Sequence, residues 1–407
     1  MAQNPASVPP GVTLAVGNDA MAVPDVPAFV NPSPIQAFAV LFGGATALLI
    51  TGLQPLVLGQ LAEEGRLSAS GIGLAATVEF LAIGIAAAAS GALLKPVHLR
   101  LIGLVAALVH AAATLATAAA VADLGVVVSR GIAGLAAGVL LWSAIGMIAR
   151  TAQPERWSGA FLTGQTLVQL AVAAILPVTL VPVYGVDGAL FAMATISGAA
   201  AICALIGPNA YAPLSKADAD MPSAGLTVRS FLGLLAVFSF MGAVSAVWVY
   251  LEPLGLQLGQ SPATISAALA VVLGFQVVGG AAATLIGSRL PFPAALTAAV
   301  VLGVGAFWVL GVGQTTPVFI AASAVFGFLW LFALPYQLLF LVEIDPTRYA
   351  IVQLPAAQLL GSAAGPLLAS FLVSDADAVP ALVLGGGCLV LTLVLVGTLH
   401  LTAARRA

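Results

Sequence analysis

Charge is what this sequence lacks: 7% of its 407 side chains are Asp, Glu, Lys or Arg, whereas 61% are hydrophobic. A soluble domain carries about 25% charged residues. Twelve basic and fifteen acidic side chains cannot cover so long a chain with polar surface, so lipid must be the solvent for most of it. The net charge of −3 offers nucleic acid no basic footprint. Cysteine is nearly absent too. Cys203 and Cys388 both sit inside apolar runs, which excludes a disulfide framework and a thiolate metal cage. His98, His110 and His400 lie far apart, so a zinc hydrolase is excluded as well. No Gly-Lys-Ser/Thr sequence is present to cradle phosphates, which removes ATP-driven pumping. Neither clustered histidines nor a serine beside a plausible base supports an intramembrane enzyme. The expectation is a non-enzymatic chain with no cofactor and no metal.

Long apolar runs dominate what is there. Crossing roughly 30 Å of hydrocarbon takes about 20 apolar residues in a helix. Twelve such windows occur: 37–61, 71–94, 101–121, 124–148, 157–181, 186–207, 230–256, 264–287, 293–312, 317–341, 350–373 and 378–401. Polar or turn-forming strings separate them, among them Glu63-Glu64-Gly65-Arg66 and Gln153-Pro154-Glu155-Arg156. The expected organisation is a tail over 1–35, a six-helix bundle over 36–207, a linker over 208–229, a second bundle over 230–402 and a tail over 403–407. Residues before Ile35 hold seven prolines and no Lys or Arg, which reads as a disordered tail, not a signal peptide.

Basic residues set the orientation. Ten of the twelve fall in even-numbered connections or the C-terminal tail; Arg66 and Arg130 are the exceptions. Odd connections carry Asp123, Asp187, Asp375 and Asp377 instead. Both termini are therefore expected in the cytoplasm of a multi-pass bacterial inner-membrane protein.

The halves echo each other. Leu53-Gln54-Pro55-Leu56 matches Leu251-Glu252-Pro253-Leu254, and Pro154-Glu155-Arg156-Trp157 matches Pro346-Thr347-Arg348-Tyr349. A looser echo links Gly91 through Pro96 with Gly287 through Pro291. Six plus six spans in parallel repeat is an arrangement of secondary transporters.

Over residues 35 to about 402 the chain resembles the major facilitator superfamily. Arg130-Gly131-Ile132-Ala133-Gly134 looks like that family's fourth-helix arginine motif, associated with proton coupling, and Pro154–Gly159 like its step into the fifth helix. Two features depart from the pattern. Gly91 is followed by Leu94, Lys95, Pro96, His98 and Arg100, without the usual acidic residue. The antiporter-type glycine-proline motif is missing from the fifth span, and Gly361 to Pro366 in the eleventh resembles it instead. A looser likeness is to small bacterial sugar and drug efflux permeases. The resemblance implies an all-α protein of two six-helix bundles related by a pseudo-two-fold axis. It also implies a monomer that binds a small molecule and protons within membrane lipid.

Three ionisable side chains lie within spans, where a charge costs roughly 2.5–3.5 kcal/mol at the centre: Glu79, Arg130 and Glu252. At about 1.5 Å per residue they lie roughly 12, 9 and 6 Å from the periplasmic ends of their helices. Glu79 and Arg130 match in depth and can pair. Arg130 either snorkels to the interface or sets the charge state of a carboxylate; the family motif favours the second. Glu79 is a salt-bridge partner or a proton carrier, and Glu252 a hydrated helix-end group or the proton site. Gln54, at the position equivalent to Glu252, is expected to face it. His110, near mid-span, reads as a packing residue. The glutamines Gln54, Gln165, Gln169, Gln276 and Gln358 need partners at lipid depth. Candidate substrate contacts are Gln54, Gln358 and the aromatics Trp142, Trp248, Tyr250, Trp330 and Tyr336, on spans that line the cavity in the family. An aromatic, sparsely charged cavity suits an amphipathic or aromatic solute. The alternative is a non-transporting sensor or assembly factor on the same fold.

Overall fold

The computed structural model of the protein describes residues 32–151, 153–211, 227–312, 315–345 and 349–404. The expected N-terminal tail, most of the linker, and Pro346, Thr347 and Arg348 of the repeat lie outside the described residues, as do Arg405 and Arg406.

The described residues form helices and no strands, only isolated bridges. In the first bundle, α1 (Pro34–Ala47) and α2 (Leu49–Glu63) together make one span. The others are α3 (Ala69–Leu93), α4 (Leu99–Ala119), α5 (Asp123–Ile148), α6 (Pro154–Ile175) and α7 (Val181–Ala204). In the second, α8 (Val228–Val249) and α9 (Leu251–Gln257) share a span. There follow α10 (Pro262–Ile286), α11 (Phe292–Val312), α12 (Thr316–Ile344), α13 (Tyr349–Ser370) and α14 (Val379–Ala404). Eleven spans are long and apolar enough to cross a membrane by composition alone. α13 is the twelfth, packed between α8 of its own bundle and α3 of the other. The architecture is all-α, in two six-helix bundles.

Capping residues start several spans where the sequence leaves lipid. Ser68, Thr227 and Ser261 each accept from a backbone N–H of the first turn, which satisfies donors that the helix itself cannot. Arg66, Asp123, Asp187 and Asp375 mark one end of the molecule, the Asp375 face; Lys95, Arg150 and Arg289 mark the other, the Arg150 face. At the latter, the missing acidic turn is replaced by backbone pairing. Leu99 N–H donates to the Asn209 carbonyl and Tyr211 N–H to that of Pro96, both at 2.9 Å, while Arg150 lies 5.6 Å over the Tyr211 ring.

Candidate functional site

Two spans break, one at mid-depth and one towards the Asp375 face, and the site is built around the breaks. Leu48, between α1 and α2, has φ −100° and ψ 3°; Tyr250, between α8 and α9, has φ −99° and ψ 10°. Prolines follow both, Pro55 inside α2 and Pro253 inside α9. A proline gives no N–H to the carbonyl four residues back, so Pro55 leaves the Thr51 carbonyl free within its own helix. The indole of Trp248, from the other bundle, donates to that carbonyl at 2.9 Å. Gln169 of α6 donates to the Leu48 carbonyl at 2.6 Å and to the Thr51 hydroxyl at 3.2 Å. Breaks in the helix ladder thus become contacts between spans one, five and seven.

Inside the first bundle, Arg130 of α5 and Glu79 of α3 form an ion pair at 3.3 Å, with neither side chain exposed to solvent. The guanidinium also donates to the hydroxyls of Thr117 at 3.0 Å and Thr114 at 3.1 Å, both on α4. The close approach rests on Gly134, where a Cβ would stand 2.6 Å from the Glu79 carbonyl oxygen. Arg130 therefore does not snorkel: its charge is spent on one carboxylate and two hydroxyls in a closed interior. Gln54 lies beside Glu79. His110 bonds Ser197 at 2.8 Å, as a packing residue would.

Glu252 has different neighbours. It is buried and presses on Gly59 of α2, where a Cβ would come 2.8 Å from its carboxyl carbon. Gln60 and Glu63 of α2 lie near it, and its Oε2 has no hydrogen-bond partner. The expectation that Gln54 and Glu252 face each other is corrected. Repeat symmetry makes the two positions equivalent, but Gln54 turns into its own bundle, whereas Glu252 crosses to the other half.

The aromatic candidates divide by place. Trp248 meets Trp330 edge-on, with centroids 5.9 Å apart, and Trp330 stacks on Phe326. Tyr250 donates to the Ala69 carbonyl of α3 at 2.8 Å. Tyr336 instead packs on Phe332 and donates to the Gly287 carbonyl within its own bundle. Trp142 packs with Ala37, Leu99 and Met147 towards the Arg150 face. Gln358 donates to Gln337 Oε1 at 3.2 Å. Gln337, with Thr114 and Thr117, was missed by sequence reasoning.

Towards the Asp375 face the two bundles are fastened together. Ala69, first residue of α3, is held by both backbone groups: its N–H donates to Asp375 at 2.8 Å and its carbonyl accepts from Tyr250. Lower on the same seam, Thr77 donates to the Ala363 carbonyl at 2.9 Å. Outside this fastening lies a vestibule of about 890 Å³, whose lining includes Glu63, Arg66, Asp123, Tyr250, Gln257 and Asp375.

A family model described as Major Facilitator Superfamily matches residues 39–353. Among solved structures, the nucleoside transporter NupG is similar with a TM-score of 0.70 at 14% identity, over 89% of this chain and 98% of that one. A bacterial homolog to the human lysosomal transporter Spinster, inward-facing and occupied, gives 0.58 at 13%, over 91% and 96% of the chains. The human organic anion transporter MFSD10 (TETRAN) gives 0.57 at 17%, over 89% and 100%. At these identities the likeness shows the fold alone. No curated protein matches the sequence.

Proposed function

Because the chain belongs to the Major Facilitator Superfamily, we propose that it is a proton-coupled secondary transporter moving a small organic solute across a bacterial inner membrane by alternating access. Residues 36–207 and 230–402 are the two bodies that rock, joined by the linker at 208–229. The Asp375 face is periplasmic, and the Arg150 face and both termini are cytoplasmic. The observation that carries this reading is the grip of Tyr250 and Asp375 on Ala69. Three hydrogen bonds of this kind join separate bundles near one face, as a closed periplasmic gate requires.

Coupling is assigned to Glu252. A carboxyl buried against glycine, with a second carboxylate near and no cation bonded to it among the described residues, is placed to exchange a proton. Taking up or losing one proton there changes the balance between gate closed and gate open. Glu79 and Arg130 keep the first bundle's charges paired while that happens. Solute contact falls to Trp248, Trp330 and Gln358 around the seam, and Gln54 supports Glu79 inside the first bundle. Tyr250 serves the gate, and Trp142 and Tyr336 support their bundles.

The test is flux. Protein reconstituted in proteoliposomes is challenged with nucleosides, sugars and aromatic amides under an imposed pH gradient. Nucleosides are included because NupG is a nucleoside transporter. Accumulation that a protonophore collapses supports the reading. A folded protein that moves none of these would favour the sensor or assembly-factor alternative.

A further inference from the structure

Resting on the transport reading above, we infer that the solute carries no net charge and that side-chain amides from both bundles recognise it, chiefly Gln337 as donor and Gln165 as acceptor.

Among the described residues, and away from the helix ends, the Asp, Glu, Lys and Arg side chains within the spans are Glu79, Arg130 and Glu252. Arg130 is the one cation among them, wholly enclosed and bonded to Glu79, Thr114 and Thr117. A carboxylate or phosphate entering between the bundles would lose its water and meet no free counter-charge. Glu252, buried between Gly59 and the neighbouring Glu63, is packed away from an entering cation.

Gln165 and Gln169 are four residues apart on α6 and share one helix face. Gln169 grips the α2 break at Leu48 and Thr51, and Thr51 accepts from Trp248 across the seam. Trp330 touches Trp248, and Gln337 lies seven residues further along α12, two turns on the same face. Gln358, bonded to Gln337, precedes Leu359, whose side chain lies over Gly84 of α3 in the other bundle. The amides therefore belong to both bundles, and Gln165 and Gln337 both lie on the Arg150 side of the Trp248–Thr51 contact.

Two buried amide atoms keep unspent bonding capacity. Gln337 is 3% exposed, yet its Nε2 has no partner; the Oε1 of Gln165 is buried and likewise unpartnered. Buried amide atoms are rarely left so. One free donor on the second bundle and one free acceptor on the first suit a planar, uncharged solute with its own carbonyl and N–H, its ring against Trp330.

The probes are three molecules of one shape: benzamide (neutral), benzoate (anionic) and benzamidine (cationic), with uridine and uridine monophosphate as a larger pair. Binding to the purified full-length protein in detergent is followed by tryptophan emission and thermal shift, neither of which needs flux. The expected result is binding of benzamide and uridine, with benzoate, benzamidine and uridine monophosphate at least tenfold weaker. Gln337→Leu should weaken the neutral probes about tenfold, the cost of an unmet buried hydrogen bond. Gln337→Glu should turn preference towards benzamidine while keeping the side chain's shape. Equal or tighter binding of the charged members, no binding of either neutral probe, or no change in Gln337→Leu would overturn the inference. Selective binding without flux in liposomes would sink the transport reading and leave the recognition standing. Flux without selectivity would do the reverse.

Discussion

Trp248 and Thr51 are joined across the two bundles because Pro55 stands four residues after Thr51 and cannot use its carbonyl. The indole N–H from span seven supplies the bond that span one forgoes. A proline that would weaken an isolated helix here ties two moving bodies together. Trp248→Phe keeps most of the ring packing and removes the donor, so it should cost the fastened state about 1 kcal/mol. The check is the labelling rate of a cysteine at Ser70, near the Asp375 face, which should rise about fivefold. An unchanged rate would mean that the bond follows the closure without supporting it.

Ala69 is held at both of its backbone groups. Asp375→Ala leaves the first N–H of α3 without its acceptor, and Tyr250→Phe removes the donor to the carbonyl of the same residue. Each should shift the population towards the state open at the Asp375 face, the double variant by more than tenfold. Spin labels at Ala122 and Ala376, on opposite sides of the vestibule, should show a growing long-distance population. A distribution identical to the parent's would place the gate elsewhere.

The ion pair inside the first bundle predicts a stability effect separable from coupling. Arg130→Ala strands the buried Glu79 carboxyl and should destabilise the protein by roughly 3–5 kcal/mol. Adding Glu79→Ala removes the stranded group and should recover part of that loss in a melting experiment. Arg130→Lys keeps the charge without the fork that reaches both Thr114 and Thr117, so it should fall between. If the double alanine variant melts like the parent and accumulates solute normally, the pair has no part in coupling.

Orientation is checked on whole cells. Single cysteines at Ala122 and Ala376 should react with an impermeant maleimide from outside, and one at Ala403 only after permeabilisation. Labelling of Ala122 and Ala403 from the same side would contradict the nine spans counted between them.

Spans and depth were legible because lipid imposes both: about 20 apolar residues per crossing and a high cost for a charge inside. Those two constraints led from bare sequence to twelve helices, and matched depth put Glu79 beside Arg130. Sideways direction was not legible. The repeat told that Gln54 and Glu252 are equivalent, and equivalence does not say which neighbour a side chain meets. Tyr336 stands six residues after Trp330, about 240° round a helix, so the two could not both look at the seam. Thr114 and Thr117 gave no signal, since helical threonines commonly bond their own turn. Gln337 carried the same signal as Gln358, an amide at lipid depth.

Coupling turns on Glu252, which presses on Gly59 with one oxygen unpartnered. Glu252→Gln fixes the neutral state at nearly constant shape. In proteoliposomes, with the solute that binds best in the tryptophan assay, the variant should lose accumulation driven by an imposed pH gradient. It should still exchange solute in counterflow at a rate near the parent's. Accumulation by the variant against a solute gradient would contradict proton coupling through Glu252.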